Sequence, residues 1–216
     1  MEHHFPVTRT ARYQQLGTVS AGTRRVWLVL HGYGQLAAYF VRHFAALHAA
    51  DPAGTVVLAP EGLSRFYLQG NGGRVGASWM TSDDRLFEIE DYLAYLNQLT
   101  DHVLAGLPTG ADLFVLGFSQ GAATASRWLA QTARRPARLI LWAGAFPQDM
   151  DLAQTRALLD EVPVTVVVGD ADEYISEAHV EQHLARLREV GYAPELLRFR
   201  GGHTLDAGVL ARLAES

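Results

Sequence analysis

The sequence predicts an α/β fold with a mostly parallel central sheet of about seven strands and helices on both faces. Three observations support this prediction. Short apolar runs alternate with longer amphipathic stretches from Arg25 onward. The apolar runs are continuous, as in strands that are buried on both faces of a parallel sheet. Between Gly144 and Val162 only a short helix is expected, which leaves no room for a large lid.

The predicted strands are apolar runs, each followed within two residues by a glycine or a proline. An opening strand within residues 5–17 has a mixed pattern, which is typical of a sheet edge. The remaining strands are Arg25–Leu30, Thr55–Ala59, Asp112–Leu116, Arg138–Ala143, Val162–Val168 and Glu195–Arg200. The loops that follow parallel strands meet at one edge of the sheet, where ligands bind in open α/β folds.

Helices are predicted where apolar residues recur every three or four positions. The clearest is Asp83–Leu104, in which Ile89, Leu93 and Leu96 share one face. The others are Leu36–Ala50, Ala122–Ala130, Leu152–Leu159, Ser176–Val190 and Leu205–Leu213. The glycine-rich stretch Leu63–Trp79 is predicted to be a long irregular loop, and long loops in compact domains are usually functional or disordered.

Length, composition and net charge limit the classes of protein to which the chain can belong. The 216 residues contain no repeat or linker, so residues 1–216 are expected to form one domain. A net charge of −5 argues against a nucleic-acid partner. The absence of a long apolar run and of signal-peptide features predicts a cytoplasmic protein without stable membrane association. The absence of cysteine excludes disulfides and a thiol nucleophile.

The segment 117–121, Gly-Phe-Ser-Gln-Gly, carries the strongest functional signal. It joins a predicted strand to an alanine-rich helix and places Ser119 between two glycines. A nucleophile elbow has this context, because the turn is so sharp that a β-carbon on either flank would clash with neighbouring backbone. Ser119 is therefore predicted to be a nucleophile.

An acid and a histidine follow later strands, in the chain order Ser, Asp, His. His203 would accept the serine proton, and a carboxylate would orient the imidazole. Asp170, Asp172 and Glu173 all stand near the strand end. Asp172 is favoured because it lies far enough along the loop to reach a histidine, whereas Asp170 could cap the turn.

The reaction also requires N–H donors for an oxyanion. The backbone N–H groups of Gln120, directly after the serine, and of Tyr33, in the loop after the early strand, are predicted to supply them. Gln120 is expected to act through its backbone rather than its amide.

Neither a cofactor nor a metal is expected. His179 and His183 are four residues apart, but the glutamate between them is misplaced for a zinc helix and no third ligand is evident, so a solvated helix face is favoured. The glycines of 70–76 do not match a dinucleotide fingerprint and follow no strand.

Together these segments resemble α/β-hydrolases of the phospholipase/carboxylesterase family, which includes small carboxylesterases and acyl-protein thioesterases. The matching segments are Leu30–Gly34, Ala59–Gly62, Trp79, Gly117–Gly121, Gly169–Asp172 and Gly202–His203. The resemblance implies Ser119 as nucleophile, Asp172 as acid, His203 as base and an oxyanion hole at Tyr33 and Gln120. The chain departs from the family at Gln35, where an acidic residue is frequent, and at Met80–Thr81.

The expected function is hydrolysis of carboxylic esters with short to medium acyl chains through an acyl-enzyme. The alternatives are an acyl thioesterase or lysophospholipase and, from another class, a non-catalytic binding domain on the same fold. A small-molecule ester or thioester is the expected partner; a homodimer is compatible with the resemblance, and no interface is identified. The predicted substrate pocket is lined by His31, Phe66, Tyr67, Trp79 and Phe146.

Overall fold

A seven-stranded sheet forms the centre of the molecule. The structure, a computed structural model, describes residues 1–215. The strands are β1 Tyr13–Leu16, β2 Arg25–Leu30, β3 Thr55–Pro60, β4 Ser64–Tyr67, β5 Val75–Ser78, β6 Asp112–Phe118, β7 Arg138–Trp142, β8 Val164–Gly169 and β9 Glu195–Phe199. The order in the sheet is β1-β3-β2-β6-β7-β8-β9. Every neighbouring pair is parallel except β1 with β3. The predicted mostly parallel sheet is confirmed.

Helices cover both faces of this sheet. They are α1 Ala37–Phe40, α2 Ala45–Ala50, α3 Arg85–Val103, α4 Gln120–Gln131, α5 Leu152–Glu161, α6 Glu177–Glu189 and α7 Ala207–Glu215, with a 3₁₀ turn Val41–Phe44 between the first two. Among residues 1–215, no helix combines the length and the apolar composition needed to cross a bilayer. Only α5 lies between β7 and β8, and no lid is evident.

The central strands divide their side chains between two cores. In β2, Val26 and Leu28 belong to the core that contains residues of α3 and α4. Trp27 and Val29, which alternate with them, belong to the opposite core, which contains residues of α1 and α7. All four side chains are fully buried. Burial on both faces explains why the strands read as unbroken apolar runs.

Three predicted elements differ from the structure. The opening strand is confined to Tyr13–Leu16, and residues 5–12 lie outside any strand. The single helix predicted over Leu36–Ala50 is broken by the 3₁₀ turn, within a run of aromatic and β-branched residues that have low helix propensity. The stretch predicted to be an irregular loop contains the antiparallel hairpin β4–β5.

The hairpin is joined to the loop after β2. Its turn is made possible by Gly70 and Gly73, which have φ values of 57° and 83°. Gln35 forms a β-bridge with Ala77 of β5, and the N–H of Gly34 donates to the Ala77 carbonyl at 2.8 Å. The hairpin therefore supports the His31–Gly34 loop at the carboxyl edge of the sheet.

Helix α4 begins in close contact with the end of β2. A β-carbon on Gly121 would lie 2.2 Å from the carbonyl oxygen of Leu30. Real β-carbons do not approach backbone this closely, so the first turn of α4 reaches the sheet only because residue 121 is glycine.

Gly121→Ala is expected to destabilise the fold by at least about 3 kcal/mol, because the added methyl group must displace backbone rather than a flexible side chain. Urea unfolding would measure the loss. Gly72→Ala is the matched control, since a β-carbon there meets no atom within 4 Å. Equal stability of the two variants would show that the contact between α4 and β2 is not tight.

Candidate active site

Ser119 lies in a strained turn between β6 and α4. Its φ of 54° and ψ of −117° are unusual for a residue with a side chain and cost about 1–3 kcal/mol. The surrounding backbone leaves little space, since a β-carbon on Gly117 would lie 2.2 Å from the Gly121 carbonyl oxygen. The Ser119 N–H donates to the Trp142 carbonyl at 2.8 Å. These contacts fix the serine at the carboxyl edge of the sheet, where it is half-buried.

Asp172 and His203 form a hydrogen-bonded pair at the same edge. His203 Nδ1 lies 3.0 and 2.9 Å from the two carboxylate oxygens of Asp172. The carboxylate is fully buried, and its Oδ1 also accepts the backbone N–H groups of Tyr174 at 2.9 Å and Ile175 at 3.0 Å. Donation from Nδ1 to the carboxylate leaves Nε2 as the acceptor that a general base requires.

The ring of His203 contacts two aromatic rings. Phe118, immediately before Ser119, lies 4.9 Å from it, and Tyr174 meets it edge-on at 4.8 Å. Within residues 1–215 no hydrogen bond joins the Ser119 hydroxyl to His203. Such contacts are often long in free enzymes and tighten when substrate binds. The structure thus brings the predicted acid and base together, with the base packed against the residue that precedes the predicted nucleophile.

The three carboxylates after β8 have separate contacts. Asp170 Oδ1 accepts the N–H of Gly201 at 3.0 Å. Glu173 Oε2 accepts the backbone N–H of His203 at 3.4 Å. Of the three, only Asp172 has a hydrogen bond to the imidazole within the described part of the chain. Asp170 and Glu173 instead hold the loop that carries the histidine.

The loop after β2 lies against Ser119. A β-carbon on Gly32 would be 3.2 Å from Cβ of Ser119. The Gly32 N–H donates to Gln35 Oε1 at 2.8 Å, so Gln35 braces the loop without a carboxylate. The backbone N–H groups of Tyr33 and Gln120 have no hydrogen-bond partner within residues 1–215. Both donors are therefore free to bind an oxyanion, as an oxyanion hole requires.

The amide of Gln120 has a role that the sequence did not reveal. Its Oε1 accepts the Trp79 N–H at 3.1 Å, and its Nε2 donates to the Met80 carbonyl at 2.7 Å and to Ser78 Oγ at 3.1 Å. The expectation that Gln120 acts through its backbone alone is wrong. Its side chain holds the segment that follows β5 against the first turn of α4.

Three of the five predicted pocket residues lie beneath the site. His31, Trp79 and Phe146 expose 0%, 1% and 2% of their surface, so they cannot line a pocket open to substrate. These apolar or aromatic side chains pack in the protein interior, where such residues are often buried. For these three residues the pocket prediction is wrong.

Phe66 and Tyr67 lie at the surface near the His31–Gly34 loop. Phe66 is half-buried and packs 5.0 Å from the ring of Tyr33, whereas Tyr67 is exposed on the other side of β4. Sequence reasoning missed Tyr174, which is exposed and contacts His203. Its place two residues after Asp172 was the available signal.

Two buried histidines serve as hydrogen-bonding groups. His31 Nδ1 donates to the Gly32 carbonyl and Nε2 accepts the Gly62 N–H, at 2.8 and 2.9 Å. Burial lowers the pKa of His31, which keeps the ring neutral and suits this acceptor role. His183 is also buried, and its Nε2 accepts the Phe146 N–H at 3.2 Å. The prediction that His183 lies on a solvated helix face is wrong; His179 is exposed.

Comparison with known protein families identifies the class of protein. The family described as serine hydrolase (FSH1) matches residues 22–206, most of the chain. The chain belongs to this serine hydrolase family. Its recognition from the motifs as a carboxylesterase-like serine hydrolase is confirmed. Comparison with curated protein sequences gives no match.

Solved structures similar to this serine hydrolase include three esterases or thioesterases. Zea mays acyl-protein thioesterase 2 has a TM-score of 0.70 and 17% identity, over 95% of this chain and 97% of that one. The Mesorhizobium loti carboxylesterase has a TM-score of 0.67 and 19% identity, over 95% of both chains. Esterase PE8 has a TM-score of 0.65 and 22% identity, over 96% of this chain and 97% of that one. At these identities the likeness shows the fold, and the predicted α/β-hydrolase fold is confirmed.

Asp172→Asn in this serine hydrolase is expected to lower kcat by about 10⁴-fold, because an amide would favour the wrong imidazole tautomer. Asp170→Asn is the matched control in the same loop; it should keep most of the activity, since Asp170 contacts backbone and not the imidazole. Steady-state hydrolysis of an activated ester would measure both. A larger loss in Asp170→Asn would move the acid to position 170.

His183 is expected to make stability depend on pH. Burial and the charge of Arg186 lower the pKa of His183 to about 4 from 6.5. The contribution of His183 to stability is complete above pH 6.5 and is lost as the pH falls toward 4, because the unfolded chain binds the proton first. Between those pH values wild type should lose about 3 kcal/mol more than His183→Gln in urea unfolding. Parallel profiles for the two proteins would contradict this assignment.

Proposed function

We propose that the protein hydrolyses carboxylic esters through an acyl-enzyme formed on Ser119. The observation that carries the proposal is the pair of Asp172 and His203 beside a serine held at positive φ. A hydroxyl, an imidazole and a buried carboxylate at one edge of the sheet are the groups that acyl transfer by serine requires. Membership of a serine hydrolase family supports the same chemistry.

The first half of the reaction forms the acyl-enzyme. His203 Nε2 accepts the proton of the Ser119 hydroxyl as the oxygen attacks the carbonyl carbon of the ester. The carbonyl oxygen becomes an oxyanion, which the backbone N–H groups of Tyr33 and Gln120 bind. Asp172 stabilises the imidazolium. The tetrahedral intermediate then expels the alcohol, which takes the proton from Nε2, and the acyl group remains on Ser119.

The second half releases the acid. Nε2 of His203 accepts a proton from water as the water oxygen attacks the acyl carbon. The same two N–H groups bind the new oxyanion. Collapse returns the proton to the oxygen of Ser119 and frees the carboxylic acid. One histidine therefore serves as base and acid in both halves, and Asp172 holds its orientation throughout.

The rim of the site favours short to medium acyl chains. Trp79 and Phe146, which were expected to line the substrate pocket, are packed into the core. Aromatic surface near Ser119 comes from half-buried Phe66 and from exposed Tyr33 and Tyr174. A shallow aromatic rim offers limited apolar area, and the free energy gained scales with the area buried. Long chains should therefore gain little over medium ones.

A thioester is the second candidate substrate. Of the three similar structures named above, that of Zea mays acyl-protein thioesterase 2 has the highest TM-score. An open rim with no lid would admit an acyl group attached to a larger leaving group. The acyl-transfer steps would be the same, except that a thiol leaves in place of the alcohol. Lysophospholipid hydrolysis would require the same access.

Ser119→Ala is expected to abolish turnover of p-nitrophenyl acetate and butyrate, with a loss of about 10⁴-fold or more in kcat. Ser126→Ala is the matched control in helix α4, which directly follows Ser119, since Ser126 Oγ only donates to the Ala122 carbonyl. A panel of acyl esters, acyl thioesters and a lysophospholipid would rank the candidates by kcat/KM.

Two results would contradict the proposal. Full activity of Ser119→Ala would move the nucleophile elsewhere. Failure of the wild type to turn over the panel, together with failure of Ser119 to react with a fluorophosphonate, would favour a non-catalytic binding domain on this fold.

A further inference from the structure

Two buried tryptophans donate their indole N–H groups to the loops that carry the catalytic groups. Trp79 Nε1 donates to the His31 carbonyl at 2.8 Å. Trp142 Nε1 donates to the Thr204 carbonyl at 2.9 Å. His31 begins the oxyanion loop, and Thr204 follows His203. Both indoles are almost fully buried, so each hydrogen bond is shielded from competing water.

Each tryptophan is also tied through its backbone to the nucleophile elbow. The Trp79 N–H donates to Gln120 Oε1 at 3.1 Å. The Trp142 carbonyl accepts the N–H of Ser119 at 2.8 Å. One residue therefore links the elbow to the oxyanion loop, and another links the elbow to the histidine loop.

We propose that Trp79 and Trp142 are positioning residues, which set the place of the oxyanion loop and of His203 relative to Ser119. The inference rests on the proposed serine mechanism. An oxyanion donor acts only if it lies within hydrogen-bond distance of where the charge develops, and a base acts only if it reaches the serine proton. Displacements of about 1 Å cost large factors in rate.

The other two tryptophans of the chain provide matched controls. Trp128 is fully buried, and its Nε1 donates to Asn97 at 2.9 Å, a contact between α4 and α3 away from the rim. Trp27 is fully buried, and its Nε1 has no partner within the described residues. Removing the indole N–H eliminates a structural hydrogen bond at Trp128 and no hydrogen bond at Trp27.

The experiment replaces each tryptophan in turn by 3-benzothienylalanine, whose sulfur keeps the ring shape and removes the N–H. At positions 79 and 142, kcat for p-nitrophenyl butyrate should fall about tenfold with little change in KM, as expected for a net loss of one buried hydrogen bond. At position 128, urea stability should fall and kcat should not. At position 27 kcat should not change and stability should not fall, because the indole N–H there has no hydrogen bond to lose.

Two further measurements separate positioning from stability. At position 79, the affinity for a trifluoromethyl ketone should fall by the same factor as kcat/KM, because its hemiketal oxygen occupies the oxyanion hole. At position 142, the loss should disappear when His203→Ala is already present, because Trp142 acts through His203. The loss at position 79 should persist in that background.

The proposal is overturned if the replacements at 79 and 142 lower stability alone, as at 128, or if the loss at 142 remains in the His203→Ala background. The proposed function fails separately, through full activity of Ser119→Ala. If Ser119→Ala is inactive and both tryptophan replacements keep wild-type kcat, the serine mechanism stands and the positioning role is wrong.

Discussion

The close approach of helix α4 to strand β2 is the constraint on which the site depends. Gly121 lets the first turn of α4 touch the Leu30 carbonyl, and Gly117 lets the chain reverse direction beneath it. Ser119 consequently has a positive φ, which is unfavourable for a residue that carries a side chain. The surrounding packing supplies the free energy that keeps it there. Helix α4, which begins at Gln120, and strand β2, which leads into the Tyr33 loop, thereby meet at Ser119.

Histidines in this protein perform two different tasks, and burial separates them. His31 and His183 are buried, have lowered pKa values and accept backbone N–H groups. They act as neutral parts of the scaffold that brace the loops after β2 and β7. His203 remains partly accessible and faces a buried carboxylate, which is the setting that the proposed mechanism requires of its base. Burial thus separates the histidines that stabilise loops from the histidine proposed to transfer protons.

Sequence patterns predicted the elements whose formation depends mainly on residues close together in the chain. Continuous apolar runs located the parallel strands, because burial on both faces removes alternation. The glycines around Ser119 and the order Ser, Asp, His predicted the groups that meet at the rim. The hairpin β4–β5 pairs residues close in the chain, and it was missed because its short strands carry little apolar signal and its turn is rich in glycine. His183 and the amide of Gln120 were misjudged for a different reason: their partners, Phe146 and the 78–80 segment, are remote in sequence.

The pairing of β2 with β6 also governs when activity can arise as the chain is made. These strands form the centre of the sheet, yet the whole of α1–α3 and the β4–β5 hairpin separates them in sequence. The elbow cannot close before β6 is available, and contacts of such long range form slowly. His203 arrives only after β9, the edge strand opposite β1. Under the proposed mechanism a growing chain therefore holds Ser119 and the Tyr33 loop before it holds the base, so we expect partly synthesised protein to be inactive.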